Sequence, residues 1–257
     1  PSLPIDTTVR VELDRSNVTV ANSITKAVSD AMLKASSLLG VEAPVTLDTS
    51  NAIYAKDATF RDFFVPGIMA FVVFMLTTLL TLISFVGERT SGNLERLQAT
   101  PLRESEIVVG YAIAFSIIGM LQDVILIAIG VGYFHILIVG NIFLAFLVVA
   151  LLAVGSLSLG IMLSSLAKRE SQAIQFFPFI TLPTFLLAGI FWPVEAIPSW
   201  LRPLSFAIPP YYAVEATRSV ILRGWGVGGI WVDIVALLAF AAGFLMLAVW
   251  SLQRGRG

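Results

Sequence analysis

The amino-acid sequence predicts an all-α polytopic membrane protein with five transmembrane helices in this chain, outer re-entrant helices and a small extracytoplasmic α/β segment. Three observations support this class. Of the 257 residues, 57% are hydrophobic and only 13% are charged, a composition outside the usual range of soluble domains. Five segments are long enough to cross a hydrocarbon core of about 30 Å as helices. Basic residues gather beside alternate segments, as they do in membrane proteins.

The five predicted spans cover residues 64–86, 107–131, 142–166, 173–192 and 230–252. Basic residues follow the first, third and fifth spans: Arg89, Arg96, Arg103, Lys168, Arg169, Arg254 and Arg256. By the positive-inside rule these three ends are cytoplasmic. This orientation places residues 1–63 and the loop 193–229 outside the membrane, and the C-terminus in the cytoplasm.

Residues 1–63 are predicted to form the extracytoplasmic segment and residues 64–257 the transmembrane domain. Alternating polarity over residues 9–14 predicts a strand, and apolar residues at helical spacing predict a helix from Ser16 or Asn17 to Leu39. The chain begins with neither an initiator methionine nor an apolar signal that would carry this segment across a membrane. We therefore expect one further span upstream and six spans in the full subunit.

The polar segment "GERTSGNLERLQA" (residues 87–99) follows the first span and predicts an amphipathic helix. Helical spacing places its charged residues and one glycine on a single arc: Glu88, Arg89, Gly92, Glu95 and Arg96. The opposite arc is Val86, Thr90, Leu94 and Leu97. Thr100 and Pro101 predict the N-cap and first turn of the next helix. The segment is either a solvated turn whose arginines fix topology or a docking helix that presents paired charges to a soluble partner.

Asp123, preceded by Gln122, is the one ionisable residue well inside a predicted span. An unpaired charge at that depth costs about 3 kcal/mol on insertion scales. We therefore expect Asp123 to pair with Arg202, Arg218 or Arg223 of the outer loop. The alternative is a functional carboxylate that faces protein or water.

Several classes of site are not expected in this chain. The sequence contains no cysteine and one histidine, so neither a disulfide framework nor a thiolate metal site is predicted. A net charge of -1 indicates no general attraction to nucleic acid. No carboxylate pair or nucleophile–base set lies near the spans, so we do not expect an enzyme.

Two stretches resemble a known family. "ERTSGNLERLQATPLRESE" (residues 88–106) resembles the cytoplasmic segment of permease subunits of ATP-binding-cassette (ABC) type-2 exporters of the multidrug or daunorubicin-resistance kind. "LAGIFWPVEAIPSWLRPLSFAIPPYYAVEATRSVILRG" (residues 187–224) is similar to the family's outer re-entrant region, with Gly-x-x-x-Pro, Pro-x-Trp-Leu and Pro-x-x-Tyr…Glu-x-x-Arg patterns. The resemblance covers about residues 60–257 and departs from the family in lacking its first span.

The resemblance implies a permease subunit that moves a hydrophobic or amphipathic substrate (a drug, a lipid or a lipid-linked molecule) across the cytoplasmic membrane. It implies an ATPase-coupling site at Glu88, Arg89, Gly92, Glu95, Arg96, Leu97, Thr100 and Pro101. The intramembrane polar or gate candidates are Gln122, Asp123, Pro193, Glu215 and Arg218. The expected partners are an ABC ATPase subunit, a second copy of the chain or a paralogous permease, and membrane lipids.

The lysines argue against nucleotide binding by the chain itself. A P-loop needs Gly-Lys-Ser/Thr, whereas Lys26, Lys34, Lys56 and Lys168 follow Thr, Leu, Ala and Ala. We therefore expect no cofactor on this chain, with ATP and Mg²⁺ bound by the partner subunit. The alternative function is an ATP-independent channel or a membrane-anchored receptor, and the charged segment distinguishes the two because only the exporter needs it to dock an ATPase.

Overall fold

The structure, a computed structural model, describes residues 8–11, 13–14, 18–39, 46–48, 52–54 and 58–254. Long helices dominate these residues. They are α1 (Val18–Leu39), α2 (Phe60–Thr90), α3 (Asn93–Gln98), α4 (Glu104–Gly132), α5 (Ile142–Ser164), α6 (Glu170–Leu187), α7 (Arg202–Ser205), α8 (Pro209–Arg223) and α9 (Val227–Arg254).

Four short strands lie in the first part of the chain. β1 (Thr8–Arg10) pairs in parallel with β3 (Thr46–Asp48), and β2 (Leu13–Asp14) pairs in parallel with β4 (Ala52–Tyr54). The predicted strand over residues 9–14 corresponds to β1 and β2, with residue 12 outside the described residues. Because each strand has only two or three residues, the α/β character of this segment stays a prediction.

Four of the described helices are long and apolar enough to span a membrane: α2, α4 from Ser105, α5, and α9 to Ser251. The prediction of five spans is therefore not confirmed. The predicted fourth span corresponds to α6, which has 18 residues, begins with Glu170 and contains Gln172 and Gln175. These polar residues lower its mean hydropathy, and Pro178 and Pro183 interrupt its backbone bonding.

Helix α5 lies at the centre of the bundle and packs against α2, α4, α8 and α9. Val148, Leu152 and Leu157 of α5 are fully buried. A Cβ atom on Gly160 would lie 2.8 Å from the carbonyl oxygen of Thr78 in α2. A small residue is therefore required at this crossing, as is common between membrane helices.

The loop between α6 and α9, which we call the outer loop after its predicted position, is broken into short helical pieces by its prolines. A 3-10 turn (Val194–Ala196) precedes α7 and α8, and α8 packs against α2, α5 and α9. Most of α8 is buried, including the run from Ala216 to Leu222. Its backbone polar groups therefore face protein, which is the condition for a re-entrant helix at membrane depth.

The connection between α4 and α5 closes against the end of α8. The Val139 amide donates to the Ile221 carbonyl at 2.8 Å, and a Cβ atom on Gly140 would lie 1.9 Å from the Val220 carbonyl oxygen. Asn141 then begins α5, because its side chain accepts a hydrogen bond from the Phe143 amide at 2.9 Å. Only glycine fits at position 140.

Candidate functional site

The charged segment after α2 is bent rather than continuous. Helix α2 runs to Thr90, and α3 begins at Asn93. Between them Gly92 adopts a left-handed conformation with φ 74°. Residues with a Cβ atom rarely adopt this conformation, whereas glycine does so readily. The prediction of one helix over residues 87–99 is therefore wrong, and Gly92 is the cause. No atom lies within 4 Å of a Cβ atom added to Gly92. The backbone conformation, and not a lack of space, is therefore what requires glycine at this position.

Helix α3 has an apolar side and a charged side. Leu94 is buried in a cluster with Phe85 of α2 and Ile107 of α4, and Leu97 packs partly against the same cluster. Glu95 and Arg96 are exposed. Two adjacent charges of opposite sign therefore project from a helix whose other side is anchored in the bundle.

Glu88 and Arg89 face the bundle instead of joining that exposed pair. Glu88 is half-buried and lies close to Tyr111 of α4. The Arg89 guanidinium donates to the carbonyl oxygens of Ser164 and Ala167 at the end of α5. Since the last carbonyls of a helix lack partners within it, Arg89 stabilises the C-terminus of α5. The charged residues of the predicted arc are thus divided between a half-buried pair, Glu88 and Arg89, and an exposed pair, Glu95 and Arg96.

Thr100 and Pro101 are exposed and lie in the turn between α3 and α4. The Thr100 hydroxyl donates to the Leu97 carbonyl at 2.5 Å, at the end of α3. Arg103 is the N-cap of α4, and its amide donates to the Glu106 carboxylate at 2.8 Å. The predicted N-cap at Thr100 is therefore wrong, because its hydroxyl bonds to the end of α3 and not to the start of α4.

A cleft of about 110 Å³ lies behind α3. Its lining combines apolar and polar side chains from α2, α3, α5 and α9: Phe85, Arg89, Leu94, Glu95, Gln98, Ser164, Ser165 and Ser251. Leu94, Glu95 and Gln98 of α3 therefore face the ends of α5 and α9 across this cleft.

Asp123 is 0% exposed, and neither of its carboxylate oxygens has a hydrogen-bond partner among the described residues. The expected pairing with an outer arginine is wrong. Arg202 donates to the Glu195 carbonyl, Arg223 pairs with Glu215 at 2.8 Å, and Arg218 is bonded to backbone carbonyls. Each arginine is bonded to other acceptors, and none of them pairs with Asp123.

Gln122, next to Asp123, has a partner on the neighbouring helix. Its side-chain oxygen accepts a hydrogen bond from the Thr77 hydroxyl of α2 at 3.1 Å. Thr78 donates to the Ser156 carbonyl of α5 at 3.3 Å. Polar contacts thus join α2 to both α4 and α5 within the bundle.

Arg218 holds three outer segments together. It donates to the carbonyl oxygens of Phe63 (2.9 Å), Gly189 (2.6 Å) and Ile190 (2.6 Å). Its guanidinium also lies 3.7 Å from the centre of the Phe63 ring, a favourable cation–π distance. A Cβ atom on Gly67 would lie 2.7 Å from this guanidinium. The start of α2, the turn after α6 and helix α8 therefore meet at one side chain.

The other two gate candidates lie near this junction. Pro193 is buried and accepts a hydrogen bond from the Ala196 amide at 2.9 Å, which forms the turn before α7. Glu215 is paired with Arg223 along α8. Glu215, Arg218 and Pro193 thus stabilise the outer loop, each through different contacts.

One residue at this junction was not predicted from the sequence. Asp62 accepts hydrogen bonds from the amides of Thr59 (2.7 Å) and Leu137 (2.6 Å), so it both caps α2 and holds the α4–α5 connection. The Thr-x-x-Asp spacing of a capping box was the available signal. Among the described residues no group of three His, Cys, Asp or Glu side chains could hold a metal ion.

Comparison with known proteins relates the chain to transporters. The model of the family described as ABC-2 type transporter matches residues 23–222. ABC transporter G family member 20 of Dictyostelium discoideum is 30% identical over 212 residues, which are 82% of this chain and 29% of that protein. The probable multidrug ABC transporter permease YbhR of Escherichia coli (strain K12) is 28% identical over 190 residues, 74% of this chain and 51% of that protein. The chain therefore spans about half or less of the length of these relatives.

Proposed function

Because the chain belongs to the ABC-2 type transporter family, as its two motifs led us to expect, we propose that it is the permease subunit of an ATP-driven exporter. A separate ABC ATPase subunit binds ATP and Mg²⁺, and this chain binds no cofactor and catalyses no reaction itself. Two permeases, identical or paralogous, work with two ATPase subunits in the cytoplasmic membrane. Residues 1–63 lie outside and the C-terminus lies inside.

The observation that carries this proposal is the two-sided helix α3. Its exposed charges and the turn after it form what we call the coupling surface: Glu95, Arg96, Thr100 and Pro101. Adjacent opposite charges fix the register of a polar protein interface. A turn whose arginines served only to fix topology would not need the buried anchor at Leu94.

A displacement of the coupling surface can be transmitted to the spanning helices through side-chain contacts. Leu94 transmits it to Phe85 of α2 and Ile107 of α4 through their shared cluster. Arg89, one turn before α3, is bonded to the end of α5. Closure of the ATPase pair would therefore tilt α2, α4 and α5 together.

The same motion reaches the outer side through Arg218, because its acceptor Phe63 lies in the first turn of α2. Tilting α2 would pull on α8 and on the turn after α6. We propose that the outer loop parts in response and releases the cargo outward. The cargo is hydrophobic or amphipathic, a drug, a lipid or a lipid-linked molecule, since the spanning helices are almost free of charge.

Exchanging the two charges of the coupling surface tests the proposal. The double variant Glu95→Arg with Arg96→Glu keeps the net charge and leaves Leu94 in place, but inverts the charge pattern. We expect the full subunit to reach the membrane in normal amounts and to lose co-purification with a tagged ATPase subunit. Lys168→Glu, on an exposed residue of another connection, is the matched control and should retain the ATPase.

The outcomes separate the alternatives. If the ATPase co-purifies equally with the exchanged variant, the coupling surface is wrong. If no ATPase co-purifies with the unchanged subunit, the exporter proposal fails in favour of a channel or receptor that works without ATP.

A further inference from the structure

Asp123 lies well inside α4, on the side that faces other helices. Gly119, Leu126 and Gly130 are four, three and seven residues away, so they share one face of the helix with Asp123. A Cβ atom on Gly119 would lie 2.9 Å from the Ala153 Cβ of α5. This face is therefore in close contact with the rest of the bundle.

The neighbours of Leu126 on that face are apolar. Leu126 packs against a cluster of Val73 from α2 and Val149 and Ala153 from α5, each at most 1% exposed. The carboxyl group of Asp123 has no exposed surface. It is therefore cut off from water within a three-helix seam.

No charged group of the helices packed against α4 is placed to neutralise Asp123. These helices are α2, α5 and α9; α5 has no charged residue, and those of α2 and α9 lie in their first or last two turns: Arg61, Asp62, Glu88, Arg89, Asp233 and Arg254. The other titratable residues of α4 are Glu104, Glu106 and Tyr111. The nearest of them, Tyr111, is about 18 Å away along the helix axis.

An ionised carboxylate without a partner is far more costly to bury than a neutral carboxylic acid. We propose that Asp123 is a proton-binding site, protonated in the conformation described, and that it releases its proton when α4 moves away from α2 and α5. On release the carboxyl O–H bond breaks and the carboxylate keeps the electron pair. The proton passes to a water molecule that enters the opened seam.

Two features of the seam suit it to such opening. Only 17% of the most apolar stretch of α4 is buried, as in α9, against 56% in α2 and in α5, so α4 has fewer contacts to lose than α2 and α5. The Thr77 hydroxyl and the Gln122 side chain, which are bonded to each other beside Asp123, offer polar groups to entering water. The release step rests on the proposed function, because ATP-driven movement is its cause.

Infrared difference spectroscopy of the full subunit with its ATPase, in lipid nanodiscs at neutral pH, tests the protonated state. Asp123→Asn replaces the carboxyl group by a neutral amide of the same shape. We expect the wild-type spectrum minus the variant spectrum to contain the C=O stretching band of a carboxylic acid. If the difference contains carboxylate bands instead, Asp123 is ionised and the proposal is overturned.

Two further variants are controls for this measurement. Asp233→Asn removes a carboxyl group near the start of α9 and should leave the Asp123 band unchanged. Asp123→Glu keeps a carboxyl group on α4 and should keep a carboxylic acid band, shifted in frequency, even if the asparagine variant is poorly folded. Loss of the band in the glutamate variant under the same conditions would contradict a site that holds its proton by burial.

Trapping the ATPase with vanadate tests the release. We expect the band to weaken in the trapped wild-type complex and no corresponding change in Asp123→Asn. An unchanged band in the trapped complex would overturn the release step. If no ATPase binds the subunit, the proposed function fails, whereas the spectrum of the subunit alone still decides whether Asp123 is protonated.

Discussion

At the scale of single residues, Arg218 of α8 joins the start of α2 to the turn after α6. Its planar guanidinium reaches three carbonyl oxygens in two separate segments, Phe63 on one side and Gly189 and Ile190 on the other. A guanidinium keeps its charge in proteins, so the side chain remains cationic at neutral pH. A lysine ammonium is a point charge without this fork and cannot reach all three acceptors with the same geometry.

Arg218→Lys should therefore destabilise the subunit by about 1–3 kcal/mol, the range for losing hydrogen bonds to a buried charged group. Thermal unfolding of the purified subunit in detergent measures this loss. Arg223→Lys is the matched control, because Arg223 pairs with the more exposed Glu215, and it should lower the midpoint much less. Equal shifts in the two variants would contradict a special role for Arg218.

The error over Asp123 shows what the sequence alone cannot supply at this scale. The charges of the outer loop are visible in the sequence, but the competing acceptors are not. Backbone carbonyls at Gly189 and Glu195 bond to Arg218 and Arg202, and these contacts depend on turns that form only in the folded loop. Burial of Asp123 was predictable from its place in an apolar span, whereas its lack of a partner was not.

At the scale of elements, Gly92 sets the angle between α2 and α3. Gly92→Ala would force a left-handed conformation on a residue with a Cβ atom, at a cost of about 1–2 kcal/mol. We expect α2 and α3 to straighten in response and co-purification of the ATPase to fall.

Gly92→Asn is the matched control, since asparagine tolerates the left-handed region better than alanine. No atom lies within 4 Å of the added Cβ atom, so this atom meets no steric obstacle in either variant. Pull-down with the tagged ATPase should rank the unchanged subunit first, asparagine second and alanine last. Equal recovery from all three would show that the bend is not needed for coupling.

The elements that the sequence predicted best are the most apolar ones. The spans predicted over residues 64–86, 107–131, 142–166 and 230–252 coincide with α2, α4, α5 and α9, because about 20 apolar residues have no other stable arrangement in a bilayer. Polar segments were less predictable. Their amphipathic period suits a helix with or without a break, so the periodicity could not locate the bend at Gly92.

At the scale of the whole molecule, contacts link α3 to α8 through one helix. α2 carries Phe85 beside Leu94 of α3 at one end and Phe63 beside Arg218 of α8 at the other. The two stretches that resembled the ABC type-2 family are thus the two segments docked at opposite ends of α2. Their distance in the sequence gave no indication of this connection, which comes from packing alone.

The orientation of the bundle can be tested because the 257 residues contain no cysteine. Ser91→Cys reports on the bend before α3 and Ser199→Cys on the outer loop, and both positions are exposed. The basic residues beside α3 predict that it lies in the cytoplasm. A membrane-impermeant maleimide should therefore label Ser199→Cys in intact cells and Ser91→Cys only after permeabilisation, while the unchanged chain takes up no label. Labelling of Ser91→Cys from outside would place the coupling surface beyond reach of ATP and remove the basis for an ATPase partner.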